Sequence, residues 1–387
     1  MHTSTMRRSA RAGLALVASA CLLASCQNPD NHPEEETSAA APESSAPQSA
    51  ASSTSATTEE TTETSAAEHE GPRATAEGHV VVLSTGGTIA STHDKTGAVV
   101  PTVTGSKLVE PLSGTFDKDK LTLEVKDIAK LDSSAMTLDD TDTIITAVNK
   151  ELQRDDVDGV VVTHGTDSME ETAIAVDTFQ DSDKPVALTG AMRPFDDPDP
   201  DGPDNLALAV KTVTDPSNKG RGTFIAFADH VIPARGAFKS DTTKADGFAN
   251  NNGKKQPQRP KALKFKPLGN TRVDIIAAYP GAPADLIQRS LDSGAEGIVI
   301  EGMGAGNIGD ELAQAAKATA KKVPIVLTTR VDHGPVEGIY GGAGGGATLA
   351  DAGVISSGTL RAPQARMLLA AAISTDTDPA ELFPDAD

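Results

Sequence analysis

His79-Val80-Val81-Val82-Leu83-Ser84-Thr85-Gly86-Gly87-Thr88-Ile89-Ala90 is the stretch on which the reading of this 387-residue chain turns. Residues 79–83 are a short apolar run, and such a run closed by turn residues suits a buried strand. Two adjacent glycines let the backbone turn sharply at the strand end and approach a ligand closely. Thr88 then stands exposed on that turn, although a Thr in this place also serves as the cap of a following helix.

Runs of the same kind recur at 159–163, 185–189, 223–228, 273–278, 297–301 and 324–328. Helical patterns lie between several of them. Residues 137–152 open with Thr137 and carry Asp140 three positions on, a capping signal. Ser168 with Glu171 has the spacing of a fuller capping box. Residues 311–322 are Ala-rich, with an acidic start and a Lys321-Lys322 end that suit the helix dipole. Strands alternating with helices predict an α/β fold with mostly parallel sheets. In such sheets ligands bind beyond the C-terminal ends of the strands. An Asn-, Lys- and Pro-rich stretch begins near residue 250. It divides a larger N-terminal catalytic domain, 79–258, from a smaller C-terminal domain, 273–387, with a linker at 259–272. Each domain is expected to hold a mostly parallel sheet flanked by helices.

The N-terminal end reads differently. Arg7, Arg8 and Arg11 precede an apolar stretch from residue 12 to 25. That stretch is shorter than the roughly 20 residues a spanning helix needs, and it has the size of a signal-peptide core. Its end, Leu23-Ala24-Ser25-Cys26, resembles a bacterial lipobox, in which Cys26 is lipidated and becomes the mature N-terminus. Residues 27–78 are Ser, Thr, Ala, Glu and Pro with eleven acidic residues against Arg73 alone. Such a segment buries too little apolar surface to offset its ordering entropy, so a disordered acidic tether is expected. The expected location is therefore extracytoplasmic, anchored to the cell membrane through lipid.

Composition narrows the function. With 34 Lys and Arg against 55 Asp and Glu the net charge is −21, which argues against nucleic acid as a partner. The two cysteines, Cys21 and Cys26, both lie near the N-terminus, so no disulfide framework or Cys-based zinc site is available to the body. The eight His are scattered singly, and no metal or other cofactor is implied.

Three strand ends in the larger domain place small or polar residues beside glycine. The first is the turn at Thr88. The second, Thr163-His164-Gly165-Thr166-Asp167, offers a hydroxyl and a carboxylate at the start of a helix. The third, Gly190-Ala191-Met192-Arg193-Pro194, allows a ligand to come close at Ala191. A Thr hydroxyl is a poor nucleophile unless a base or hydrogen-bond chain activates it. Thr166, held by Asp167 and by Lys239 further along the chain, can form one.

Thr85-Gly86-Gly87-Thr88-Ile89-Ala90, His164-Gly165-Thr166-Asp167-Ser168-Met169-Glu170-Glu171-Thr172, Gly190 to Pro194 and Asp201-Gly202-Pro203-Asp204-Asn205-Leu206 resemble signatures of the bacterial-type L-asparaginase family, in its exported form. The resemblance runs through most of residues 79–387. It implies an amidohydrolase that converts L-asparagine to L-aspartate and ammonia through a threonine acyl-enzyme. Thr88 matches the nucleophile, and Thr166, Asp167 and Lys239 match the second catalytic group. Ser133 matches the residue that binds the substrate α-carboxylate, Asp167 would also hold its α-amino group, and Ala191 falls in the substrate site. The family assembles as dimers of dimers, the smaller domain of one subunit closing its neighbour's site. Two departures stand out. Ser134 occupies a place where the family often has Gln or Glu. The Tyr that usually follows the nucleophile is missing from residues 91–103, leaving Tyr279 and Tyr340 as the only phenols. His93, Asp94 and Lys95 are the charged groups nearest Thr88 in sequence, while Glu337 and Tyr340 are candidates to arrive from a neighbouring subunit.

Rival readings exist. A non-catalytic amino-acid-binding lipoprotein fits the tether, and a glutaminase or peptide-amide specificity fits the motifs. Gly304 to Gly309 follows a strand in the manner of a dinucleotide turn, but the small domain has too few βα units for that fold. Asp197 to Gly202 opens like a calcium loop, yet Leu208 stands at the twelfth position where Glu is needed.

Overall fold

A computed structural model describes residues 75–252 and 258–383. The leader, with Cys26, and all but the last few residues of the tether lie outside the described residues.

Strand β1 (Gly78–Gly86) leads into a short hairpin, β2 (Ser91–His93) and β3 (Val99–Pro101), and then helix α1 (Gly105–Val109). Next come β4 (Leu121–Leu131), α2 (Leu138–Leu152), β5 (Gly159–Thr163), α3 (Met169–Phe179), β6 (Val186–Thr189) and α4 (Gly202–Thr214). The larger part ends with β7 (Thr223–Phe227), β8 (His230–Pro233), β9 (Ala237–Lys239) and β10 (Phe248–Asn250). The six-stranded sheet has the order β4-β1-β5-β6-β7-β8. Every neighbour is parallel except β8, which returns antiparallel to β7.

Alternation along β1 explains the layers. Val81 and Leu83 point into one cluster with Ile144, Ile145 and Val148 of α2 and Ile174 of α3. Val80 and Val82 point into another with Leu108 of α1 and Leu206 and Val210 of α4. All four β1 side chains are fully buried, as a parallel strand covered by helices on both faces requires. The expected helix at 137–152 forms with its capping box, Thr137 and Asp140 each bonding the other's backbone N–H.

The second sheet, order β11-β12-β13-β14, is parallel throughout: β11 (Val273–Ala277), β12 (Gly297–Gly302), β13 (Ile325–Thr329) and β14 (Ile355–Ser356). Helices α5 (Asp285–Asp292), α6 (Asp310–Thr319) and α7 (Gly346–Ala350) belong to it. One of its faces packs on Ile287, Leu312 and Ala316 of α5 and α6. Its other face, through Val299 and Val326, joins the first sheet's core by way of α8 (Ala362–Thr375). Leu368, Leu369 and Ala370 to Ala372 of α8 are buried in that shared core. The segment before β11 is fastened to the larger sheet's helices. Leu268 is fully buried with its N–H on the Asp142 carboxylate, and Phe265 sets its ring edge-on to Phe179 at 5.2 Å.

One sequence expectation needs correction. Ser168 precedes α3, but its side chain does not cap it. Ser168 Oγ donates instead to the Ser133 carbonyl at 2.7 Å, and Glu171 pairs with Arg366 of α8 at 3.1 Å. Tertiary partners outcompete the local box. The Gly304 to Gly309 stretch makes a tight turn closed by a Met303–Asn307 bridge, and the sheet it leaves has four strands.

Candidate active site

Four adjacent parallel strands, β4, β1, β5 and β6, each deliver one piece of the site at their C-terminal ends. Chain connections leave β1 in opposite directions, first to β4 and then across to β5. That is the topological switch point at which parallel sheets form binding crevices.

β1 delivers the Gly86-Gly87 turn and Thr88. Both glycines have positive φ, 107° and 79°, a region side chains disfavour. A Cβ on Gly87 would lie 2.5 Å from the Gly165 backbone nitrogen. Only bare backbone allows the two turns to nest. Thr88 opens a single 3-10 turn, half-buried. Thr85 Oγ1 ties the same strand end to the Thr163 carbonyl at 2.7 Å.

β5 delivers His164, Gly165, Thr166 and Asp167. The His164 ring is fully buried. Its Nδ1 lies 2.7 Å from the Gly165 carbonyl and its Nε2 2.9 Å from Thr172 Oγ1. A carbonyl only accepts, so Nδ1 carries the proton and Nε2 accepts from the Thr172 hydroxyl. Burial pushes this imidazole down to about 4, so it is a neutral bracket for the turn. Thr166 is buried and Asp167 is exposed.

β4 delivers Ser133, buried just past the strand end. Its Oγ accepts the Asp167 N–H at 3.3 Å, and its carbonyl accepts from Ser168 Oγ. Ser134 turns its hydroxyl to Asp132 Oδ1 at 2.8 Å. A cleft of about 220 Å³ borders Ser133, Ser134 and Asp167 and extends to Glu171 and Arg366.

β6 delivers Ala191, buried within a loop that Asp201 and Asn205 shape. Asp201 accepts the N–H groups of Met192 and Arg193, each at 2.9 Å, and Asn205 Nδ2 donates to the Gly190 carbonyl at 3.0 Å. The Asp201 carboxylate is thus engaged with backbone, and Asp199 pairs with Arg193 at 2.6 Å. Among the described residues no group of three or more His, Cys, Asp or Glu is placed to hold a metal ion.

Lys239 comes from the β9–β10 hairpin, outside the main sheet. Its Nζ lies 3.0 Å from Thr166 Oγ1 and 2.8 Å from Asp167 Oδ1. The three residues that the sequence reading joined into one chain therefore meet. Two of the charged residues after Thr88 are engaged elsewhere. His93 sits against Asp196 at 3.1 Å, and Asp94 folds back on Thr96 and the Ala98 N–H, which hold its carboxyl below the usual range. Glu337 and the side chain of Tyr340 are exposed in a glycine-rich loop.

The family model described as "Asparaginase, N-terminal" matches residues 79–260, and "Glutaminase/Asparaginase C-terminal domain" matches 272–383. L-asparaginase 2 of Escherichia coli strain K12 is 34% identical over 339 residues, covering 80% of this chain and 92% of that protein. L-asparaginase 2 of Bacillus subtilis strain 168 is 32% identical over 330 residues, covering 79% and 84%. Among solved structures, the probable cytoplasmic L-asparaginase from Campylobacter jejuni superposes with a TM-score of 0.68 at 30% identity, over 80% of this chain and all of that one.

Proposed function

Because this chain belongs to the asparaginase family, we propose that Thr88 is its nucleophile and that Thr166, Asp167 and Lys239 act as the group that serves it. The reaction is hydrolysis of L-asparagine to L-aspartate and ammonia. The observation that carries the assignment of residues is Lys239 Nζ within hydrogen-bond reach of both Thr166 Oγ1 and Asp167 Oδ1, beside the turn that presents Thr88.

Thr88 Oγ attacks the side-chain carbonyl carbon of asparagine and gives up its proton. The C–N bond breaks, ammonia leaves with a proton, and an aspartyl ester remains on Thr88. Water then attacks the ester and frees aspartate. Thr166 Oγ1 has one lone pair occupied by the Lys239 ammonium, so its own hydrogen is available to move between the reacting groups. Ser133 and Asp167 receive the α-carboxylate and α-amino groups, and Ala191 forms the close wall. Ammonia release from L-asparagine and L-glutamine, measured side by side, tests this reading. Faster release from asparagine is expected, and release from neither would contradict it.

We further propose that the protein is exported and lipid-anchored at Cys26. The Arg-rich start, the short apolar stretch and the lipobox-like end support this. Among the described residues no helix is long and apolar enough to cross a membrane. Replacing Cys26 with Ala should move the protein from membrane to soluble fractions without changing turnover, and unchanged membrane association would contradict the anchor.

A dimer of dimers is proposed as the assembly, each site being completed by a neighbour's smaller domain. Ile339 and Tyr340, 65% and 52% exposed on the loop that also carries Glu337, are the surface that supports it. In that assembly Tyr340 reaches a neighbour's site and replaces the phenol missing from residues 91–103, so Tyr340→Phe should lower turnover strongly in a folded protein. Mixing it with Thr88→Ala subunits should restore part of the activity, whereas normal turnover of Tyr340→Phe would end the role of Tyr340 as the replacement phenol.

A further inference from the structure

The reach of Lys239 onto Thr166 depends on where its main chain is held, and little of that holding comes from a sheet. β9 has three residues and pairs only with the three of β10. Two buried side chains hydrogen-bond the hairpin and the turn before it to the rest of the site. The first is Glu170, in the first turn of α3, whose Oε2 accepts the Lys239 main-chain N–H in a short hydrogen bond. The second is Gln364 of α8, fully buried. Its Oε1 accepts the Gly236 N–H at 2.9 Å, and its Nε2 donates to the carbonyls of Ala234 at 2.7 Å and Glu170 at 3.2 Å. Residues 166 to 170 thus touch Lys239 at three points: Thr166 and Asp167 at the ammonium, Glu170 at the backbone.

We propose that Glu170 is a positioning residue for Lys239: its buried carboxylate anchors the Lys239 main chain so that the ammonium stays on Thr166 Oγ1 and Asp167 Oδ1. The proposal rests on the reading of Lys239 as part of the active site. A carboxylate is a costly anchor at a place only 9% exposed, but an ionised acceptor holds an N–H roughly twice as strongly as a neutral one. What it adds is charge. The ionised groups that act on it are Lys239, which favours its negative form, and Glu171, which opposes it and is itself paired with Arg366. Burial dominates and pushes the Glu170 carboxyl up to about 7. The anchor is therefore fully charged only on the alkaline side of neutrality, and its loss of charge is expected to appear as an acid-side fall in turnover.

The test is the pH profile of kcat for ammonia release between pH 6 and 8.5, in wild type and three variants, with folding checked by circular dichroism. Glu170→Gln mimics the protonated side chain. Its kcat should be flat across this range, at the level of the wild-type acid plateau, with KM within about twofold of wild type. Glu170→Asp retains a charge and should retain a pH step. Lys239→Met should be inactive at every pH. A wild-type profile in Glu170→Gln, alongside an inactive Lys239→Met, would overturn the role of Glu170 alone. A fully active Lys239→Met would overturn the reading of the site and the inference with it.

Discussion

Gly87 and Gly165 touch backbone to backbone: a methyl group built on Gly87 would lie 2.5 Å from the Gly165 nitrogen and 2.6 Å from its Cα. This contact brings the turn that carries Thr88 against the turn that carries Thr166. Gly165, 78 residues on, is needed for another neighbour, because a methyl group there would lie 2.3 Å from Ser133 Oγ.

Gly87→Ala should therefore damage both stability and catalysis. The clash is with backbone, which cannot rotate away, and φ of 79° is unfavourable for alanine. Together these effects are worth roughly 2–4 kcal/mol. Chemical denaturation should show that loss together with a fall in turnover. A variant with unchanged midpoint and turnover would contradict the close nesting of the two turns.

Glu170 should make the enzyme less stable as pH rises through neutrality. Its carboxyl is raised from 4.5 to about 7 in the folded chain, so the folded state holds a proton that the unfolded state releases. The associated stability is complete below pH 4.5 and lost as pH climbs through about 7. Glu170→Gln has no such titration. Its stability relative to wild type should improve by roughly 2–3 kcal/mol at most between pH 5 and pH 8. A difference that stays constant across this range would contradict a raised carboxyl at Glu170.

His164 should behave in the opposite sense. Its imidazole is lowered from 6.5 to about 4, so the stability that comes from keeping it neutral is present above pH 6.5 and lost as pH falls through about 4. Nuclear magnetic resonance of the ring nitrogens should find the Nδ1–H tautomer, still neutral at pH 5.5. Protonation with a midpoint near 6.5 would contradict the buried bracket.

Much of this structure is legible in the sequence, and the missing parts share physical causes. β1, β5, β6 and β7 are covered on both faces, so they read as apolar runs. β4 lies at the edge of its sheet, where Glu124, Lys126, Asp127 and Lys130 interrupt the run, and the sequence reading passes over it. Charges on an exposed edge discourage pairing with other chains. Glu124 and Lys126 are tied to Arg154 and Glu151, respectively. α8 is missed because it is buried nearly all round between the two sheets, leaving no polar stripe to mark its period.

The site divides in the same way. Thr88, Ser133, Thr166, Asp167 and Ala191, all named from the sequence, sit at strand ends, and Lys239 lies within reach of two of them. Glu170 belongs to the same motif, but its work is done on a residue 69 positions away, and spacing carries no sign of it. Asp201 and Asn205 were legible as part of a motif and illegible as the brackets of the Gly190–Arg193 backbone. The Ser168–Glu171 pair had the right local spacing and was drawn off by Ser133 and Arg366, which no local pattern displays.

The account depends most on Thr88. Its direct test is the rate of ammonia release from L-asparagine by Thr88→Ala, compared with wild type at equal folded concentration. Thr88 is half-buried at the start of a 3-10 turn, and among the described residues no hydrogen-bond partner of its hydroxyl is left stranded by its removal, so the variant should fold normally. Loss of a nucleophile lowers turnover by several orders of magnitude. The account predicts a folded protein with turnover below about a thousandth of wild type; a folded Thr88→Ala that keeps even roughly a tenth would contradict it.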